Sequence, residues 1–417
     1  MRIPIRLSAS GKTRSGDGAA RDPNLRIGIP RVLNQWSVPR FWTGFFEGLG
    51  VRRRNVVYSS VTSDDQQKRF SQGRGAVDCC YPVKCLPGHY GELLTGLKKP
   101  INVLFSPKVV SLRSFLGSSV VDCLSCPRVM AGPESARGGL MREGDGFAAL
   151  GVCHLSPVVN MSEPELMARQ LTEALSPIFS GLTVGETAKA IERGWREQDD
   201  FDAESREIAQ EVLERCERDR VPAVLVLGRP YHMDPGIGHE IENELQACGY
   251  PLIWGQHLPL DDHLLDRLFG CDIRDGILKS AFDISDVWKS SYSANTNELL
   301  WAARFGARHP AFAAAIRLSS YECGMDQPTY TPVQKILEAR GTLYFSFQDL
   351  DQTKPAGSVR IRTETISYYL HRNGARIMAN KLALLGSDRG FVDQQRVQTR
   401  ETRSTAMHRS AEVVGKD

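Results

Sequence analysis

Residues 222–255 read "PAVLVLGRPYHMDPGIGHEIENELQACGYPLIWG". The opening "PAVLVLG" is a run of aliphatic and β-branched residues, the composition of a strand, and it ends in a Gly-Arg-Pro loop. Ile237, Ile241, Leu245 and Cys248 then fall on one face of a predicted helix that Gly249 closes. "YPLIWG" returns as a second strand. Strand, helix and strand in this order make a βαβ unit, whose strands run parallel because a helix separates them. The same grammar occurs two hundred residues earlier. "LRIGIP" is a strand, Ser37 and Pro39 are start signals, and Phe41, Trp42, Phe45, Phe46 and Leu49 recur with helical spacing. Gly50 ends that helix and "VRRRNVVYSS" is the next strand. Each copy sets Pro and Arg just after its strand, as Pro30-Arg31 and as Arg229-Pro230. The pattern predicts an α/β protein of two similar lobes with parallel sheets, joined by a helical connection.

The expected boundaries follow. Residues 1–24 read as a flexible lead-in, 25–161 as the first lobe, 162–220 as the helical connection and 221–375 as the second lobe. Residues 376–417 are charged and poor in aromatics and read as a disordered tail. In the connection, Ile208, Val212, Leu213 and Cys216 share a predicted apolar face. The second lobe continues with a helix in "NTNELLWAARFGARHP", where Asn295 and Glu298 resemble a capping box. His309 there reads as a charge at the helix C-terminus. A strand "FAAAIRLSSY", a helix "TPVQKILEARG" and a strand "TLYFSF" complete it.

Bulk composition excludes several classes. The 417 residues are 41% hydrophobic and 24% charged, with a formal net charge of +3, so no broad basic face for nucleic acid is implied. No apolar run has transmembrane length, and the start lacks an apolar signal-peptide core, so a cytoplasmic protein is expected. Gly11-Lys12-Thr13 resembles the end of a phosphate loop, but Arg6 stands where the earlier glycine is needed. Gly236 and Gly238 open a dinucleotide-like "GIGHEI" whose third glycine position is Ile241.

The ten cysteines carry the chemistry. A reducing compartment favours metal or redox use over disulfides. Cys323, in "SSYECGMDQ", directly follows a predicted strand, and ligands of parallel α/β sheets gather at such strand ends. Cys80, in "VDCCYPVKCLPGH", precedes Pro and a helix, where the helix dipole favours a thiolate. Cys126, in "DCLSCPRVM", lies in another loop after the strand "PINVLFSP". Cys79, Cys85 and Cys123 sit near these without the same context. Cys216 and Cys248 fall on apolar helix faces, and Cys153 and Cys271 have no pattern around them. Because Cys123 and Cys126 form a CxxC, a zinc site with two upstream cysteines stays open beside a cluster or ordinary thiols. "GRPYHMDP" gathers Arg229, Tyr231 and His232 after a strand, either as a binding loop or as a buried turn.

In combination, "RIGIPRVL", "CYPVK" with "GH", "SCP", "LGRPYHMDP", "DISDVW" with "YSANTNELLWAARFGARHP", and "ECGMDQPTY" resemble the 2-hydroxyacyl-CoA dehydratase and benzoyl-CoA reductase superfamily. The closest likeness is to the C-terminal region of acyl-CoA dehydratase activase-related proteins, over about residues 25–370. The resemblance implies Rossmann-like lobes facing a cleft and a [4Fe–4S] cluster held by Cys80, Cys126 and Cys323, with zinc as the alternative metal. Arg31, Arg229, Tyr231 and His232 would line the cleft and bind substrate or tune the cluster. Where many relatives carry Pro-Cys, this chain has Pro107-Lys108. It also implies partners: a separate ATPase activator subunit, a related cluster-bearing subunit, and acyl-CoA, with no nucleic acid and no membrane. The implied function is electron transfer or dehydration in which one low-potential electron reaches an acyl-CoA thioester. The alternatives are a non-catalytic activator-docking scaffold or a structural zinc protein.

Overall fold

A computed structural model describes residues 24–71, 74, 79–142, 144–289, 291–351 and 356–386. The first lobe is built on a parallel sheet of β1 (Ile27–Ile29), β2 (Val56–Tyr58), β3 (Val103–Phe105) and β5 (Cys153–Leu155), with β4 (Lys108–Ser111) and β6 (Val158–Asn160) forming a separate parallel pair. The main sheet runs in the order β2-β1-β3-β5. The second lobe has β7 (Ala223–Leu227), β8 (Leu252–Trp254), β9 (Phe312–Ser320) and β10 (Leu343–Leu350), in the order β10-β9-β7-β8. Both four-stranded sheets are wholly parallel and share one topology: the second strand flanks the first on one side, and the third and fourth flank it on the other. The repeated sequence grammar thus corresponds to two Rossmann-like α/β lobes. Strands β1, β7 and β9 are buried at every residue, as strands covered on both faces by helices must be.

The first helix, Phe41–Gly48, buries Phe41, Trp42, Phe45 and Phe46 together against Phe105 of β3, with edge-to-face rings 4.8 and 5.1 Å apart. Its N-cap is Arg40, not Ser37, and Ser37 instead closes the preceding turn Leu33–Trp36. The connection is dominated by a 36-residue helix, Val184–Asp219, which begins in a true capping box between Thr183 and Glu186. Ala190 and Ile191 of this helix enter the first lobe's core, and Ala209, Leu213 and Cys216 enter the second's, so the helix is a strut common to both lobes. At Gly194 a Cβ would meet the Phe41 carbonyl oxygen at 2.8 Å, which explains the glycine. Of the predicted apolar face, Ile208 is turned to solvent.

Several expectations change. The helix expected over 237–248 breaks in two, because His239 and Glu240 are both left-handed (φ 60° and 55°), and only Ile241–Ala247 continues. Cys248, at its end, is exposed. The helix Ala294–Arg308 starts from Ser293, so Asn295 and Glu298 are inside it and form no capping box. His309 is no C-terminal charge: burial lowers its pKa to about 3, and its neutral ring accepts from the Ala311 N–H and faces the Glu217 carboxylate at 3.3 Å. Residues 376–386, expected to be tail, are helical. The helix Ala356–Gly386 packs Ile377 and Met378 into the second lobe, and buried Lys381 donates to the carbonyls of Gly306 and Phe312 at 2.7 and 2.6 Å. The rest of the tail and residues 1–23 of the lead-in lie outside the described residues. Among the described residues no helix is long and apolar enough to cross a membrane.

Candidate functional site

In each sheet the chain reverses direction of travel between its first and third strands, at β1/β3 and at β7/β9. Loops leaving adjacent strands there diverge and open a crevice, the usual ligand position in such sheets. Arg31 follows β1, Arg229 follows β7 and Cys323 follows β9. The two lobes meet along these loops. Val32, Leu33, Cys80, Tyr81 and Val83 of the first lobe share one apolar cluster with Tyr231 and Ile237 of the second.

The structure brings Cys80, Cys126 and Cys323 to this junction. Cys80 is the N-cap of the turn Tyr81–Lys84, and Cys126 is the N-cap of the 14-residue helix Pro127–Leu140, each with proline at the helix start. Burial raises the Cys80 pKa, and the charges of Cys126 and Cys79 raise it further, while the Val83 N–H opposes the rise. Burial pushes Cys323 up to about 12; Asp326 and Cys80 add to this, and Arg229 and the Asp326 N–H oppose it. Burial also raises the Tyr231 phenol, which feels both Cys323 and Cys80. Thiols from three loops and two lobes are therefore coupled through Cys80, which feels Cys126 and is felt by Cys323, with Tyr231 beside Cys80 and Cys323. Arg128, two residues after Cys126, donates to the Glu322 carbonyl at 3.3 Å and ties the second and third loops together. Glu322 itself is left-handed (φ 62°), a strained turn immediately before Cys323.

A buried charge network fixes the loops after β7 and β9 to each other. Arg229 and Asp326 form an ion pair at 3.0 Å with both side chains 2% exposed, and Arg229 also donates to the Thr296 hydroxyl at 3.1 Å. Ser319 donates to the second Asp326 oxygen at 2.8 Å. Arg317 stands 3.5 Å from the carboxylate and stacks over the Tyr330 ring at 4.4 Å. Burial alone would lower the Arg229 pKa, but Asp326, Tyr231, Cys323 and Cys126 leave it raised, so this guanidinium is a permanent cation beside the thiols. Burial lowers the Asp326 acidity less than Arg229 and Arg317 restore it, and its pKa ends below the ordinary value. His232 belongs to the scaffold. Its Nδ1 accepts from the Arg229 N–H at 3.2 Å, so Nε2 carries the proton and donates to Ser320 at 3.1 Å. Burial lowers its pKa to about 4.

A second chain of bonds locks lobe to lobe. The Asp234 carboxylate accepts from the Thr62 N–H at 3.1 Å, from the Thr62 hydroxyl at 2.9 Å and from the Gly236 N–H at 3.0 Å. Since Thr62 spends its proton on Asp234, His89 Nε2 must donate to Thr62 (3.0 Å), and His89 Nδ1 accepts from Ser59 at 2.8 Å. The His89 pKa is lowered to about 3 by burial and by Arg31, so its ring is neutral. Arg31 lies at this relay: its N–H donates to the Ser59 hydroxyl at 2.8 Å and its guanidinium stands 5.6 Å over the Tyr58 ring.

Asp326, Thr296, Arg317 and Asp234 were not singled out by sequence reasoning; only their place in "ECGMDQPTY", "ANTNELL", "AIRLSS" and "YHMDP" hinted at them. Cys85 is fully buried and its pKa is far above the ordinary value through burial, while burial takes Cys123 to about 11, so both are protonated thiols in this environment. No group of three or more His, Cys, Asp or Glu among the described residues converges on a point where a single metal ion would sit.

The search of curated proteins finds no match to this sequence. The family described as the CoA enzyme activase uncharacterised domain matches residues 26–258, which span the first lobe, the strut helix and the second lobe through β8, including Cys80, Cys126, Arg229 and Tyr231 but not Cys323. With more than half of its 417 residues matched, the chain belongs to the CoA enzyme activase uncharacterised domain family.

Proposed function

We propose that the chain is a [4Fe–4S]-bearing component of an acyl-CoA dehydratase-like system, which takes low-potential electrons from a separate ATP-dependent activator. The observation that carries this reading is the meeting of Cys80, Cys126 and Cys323 at the lobe junction, with Cys80 feeling the charge of Cys126 and Cys323 feeling that of Cys80. The donor set supports it: three sulfur ligands from separate loops is the chemistry that iron–sulfur cubes use. Ligands of a cube are held apart by its edges and need not converge on one point, as those of a lone zinc ion must. Bound there, the cluster would supply a one-electron donor and an iron with a free position.

The chain's own residues then have defined tasks. Arg229 places a fixed positive charge beside the sulfurs and favours their thiolate form, which metal binding requires. Tyr231 covers the site with its ring and keeps its phenolic proton as a hydrogen-bond donor. The Asp326 and Asp234 networks hold the loops so that the three sulfurs keep their spacing. Membership in a CoA enzyme activase family supports the acyl-CoA and activator parts of the reading.

The test is iron, sulfide and zinc content of protein purified without oxygen, with EPR spectra before and after dithionite. About four iron and four sulfide per chain are expected, and Cys80→Ser, Cys126→Ser or Cys323→Ser should each lose them. Stoichiometric zinc, no metal, or an undiminished cluster in the serine variants would reject the assignment. The second reading is a chain that docks an activator without turning over substrate, with which an activase-related family is equally compatible. Calorimetry of the cluster-loaded protein with CoA esters separates the two, since the docking role predicts no binding heat.

A further inference from the structure

The turn Pro230–Met233 has two sides. Tyr231 faces the thiols, whereas Pro230 and Met233 line a separate cavity of about 390 Å³. This lies within the range of small-molecule sites, ~300–1,000 Å³. Its walls come from both lobes and from the strut helix Val184–Asp219, so it exists only in the assembled chain. Phe115 and Phe201 provide apolar surface, and the Arg206 guanidinium lies 5.9 Å over the Phe115 ring.

The charges on these walls are incompletely matched. Arg113 is paired with Asp199 at 2.9 Å, and Asp202 accepts from Gln198 at 2.9 Å. Arg206 and Glu298 are different. Each lines the cavity and Glu298 feels the Arg206 charge, yet among the described residues no ion pair joins them. The Nε of Arg206 and the Oε1 of Gln256 are buried without hydrogen-bond partners. Neither atom has a partner within the protein, so a donor and an acceptor on two residues that line the cavity are left unused by the fold. A simple anion would meet Arg206 but be repelled by Asp202 and Glu298, and a simple cation would face the reverse.

We propose that this cavity binds a small zwitterion of the amino-acid class, with its carboxylate on Arg206, its ammonium against Glu298 and Gln256, and its apolar body between the rings of Phe115 and Phe201. The site is independent of any metal and of the cysteines.

Calorimetry of the full chain tests this with L-phenylalanine, 3-phenylpropanoate and phenethylamine, which share one body and differ by one charge each. L-phenylalanine should bind, and each single-charge analogue at least tenfold more weakly, a difference of about 1.4 kcal/mol. L-leucine and L-tryptophan serve as further probes of body size. Arg206→Met should abolish binding. Glu298→Gln, which can still accept the Ser114 hydroxyl, should weaken it and keeps the test alive if the arginine variant fails to fold. No heat from any of the three amino acids at millimolar concentration, or equal heat from zwitterion and single-charge analogues, overturns the proposal. Cys323→Ser protein should bind L-phenylalanine unchanged, so a failed cluster assignment and a failed cavity assignment are told apart.

Discussion

Replacing Glu298 by glutamine isolates the electrostatic cost of the interlobe cavity. The Glu298 carboxylate accepts the Ser114 hydroxyl at 2.7 Å, a bond that glutamine can reproduce. Burial nevertheless raises its pKa from 4.5 to about 7; Ser114 and Arg206 offset part of that effect and Asp202 adds to it. Between these two values the folded chain keeps a proton that the unfolded chain has released. Stability from this group is fully present below the unfolded pKa and is lost as pH rises through the folded one. A gap of about 2.5 pH units at ~1.36 kcal/mol each amounts to ~3 kcal/mol, which screening by cavity water reduces to ~1–2 kcal/mol. Urea unfolding of wild type and Glu298→Gln at pH 5 and pH 8 measures it. The wild type should lose ~1–2 kcal/mol more than the variant over that interval. Asp202, Asp199, His257, Arg113 and Arg206, which also face the cavity, are present in both proteins, so they largely cancel in the difference. Parallel pH dependences, within ~0.5 kcal/mol, would refute the reasoning and return Glu298 to an ordinary solvated carboxylate.

Three further substitutions probe the scaffold. Gly236→Ala would put a Cβ 2.2 Å from the Thr62 carbonyl oxygen across the lobe junction, and should destabilise the chain by about 3 kcal/mol in urea unfolding. Arg229→Met leaves the buried Asp326 with Arg317 as its remaining cation and should cost about 3 kcal/mol, with no such loss for the exposed pair partner Arg360→Met. Lys381→Met strips buried carbonyls of Gly306 and Phe312 of their donor; about 2 kcal/mol of stability and faster amide exchange along the helix Ala356–Gly386 are expected.

Much of the architecture was legible because its signals are local. Continuous apolar runs such as "AVLVL" and "FAAAI" need a covered sheet wherever they occur, and the Phe41–Phe46 spacing needs a buried face. What failed were local motifs overruled at a distance. Asn295 and Glu298 have capping-box spacing, but Glu298 is drawn to Ser114 of the other lobe, 184 residues away. The helix expected through His239 breaks where the His239 ring reaches the Asp351 carbonyl at 2.8 Å, a contact 112 residues distant. A charged, aromatic-poor tail concealed a lysine that earns its burial from main-chain carbonyls. In the site, the cysteines were visible from strand ends and from resemblance, whereas Asp326 was not, because an aspartate three residues after a cysteine has no meaning until Arg229 arrives from 97 residues upstream.

That ion pair also explains why a junction between two lobes can hold a constellation steady. Arg229 is two residues before Tyr231, and Asp326 closes the turn on Cys323 through its N–H to the Cys323 carbonyl at 3.1 Å. Joining Arg229 to Asp326 therefore sets the position of Tyr231 relative to Cys323, although neither charged side chain need touch a ligand. On the other flank, Arg128 sets the Cys126 loop against Glu322, and Asp234 sets Thr62 and its lobe against the turn that carries Tyr231. Each of these links gives a charged group hydrogen-bond partners, a cation for Asp326, a hydroxyl and N–H groups for Asp234 and a carbonyl for the exposed Arg128, so neither buried carboxylate is left without donors. The strut helix then fixes the remaining degree of freedom, because its two halves are built into different cores. A swing of one lobe would have to break the Asp234 and Arg128 links and one core contact of the strut helix together, and the geometry at the thiols is correspondingly insensitive to motion elsewhere in either lobe.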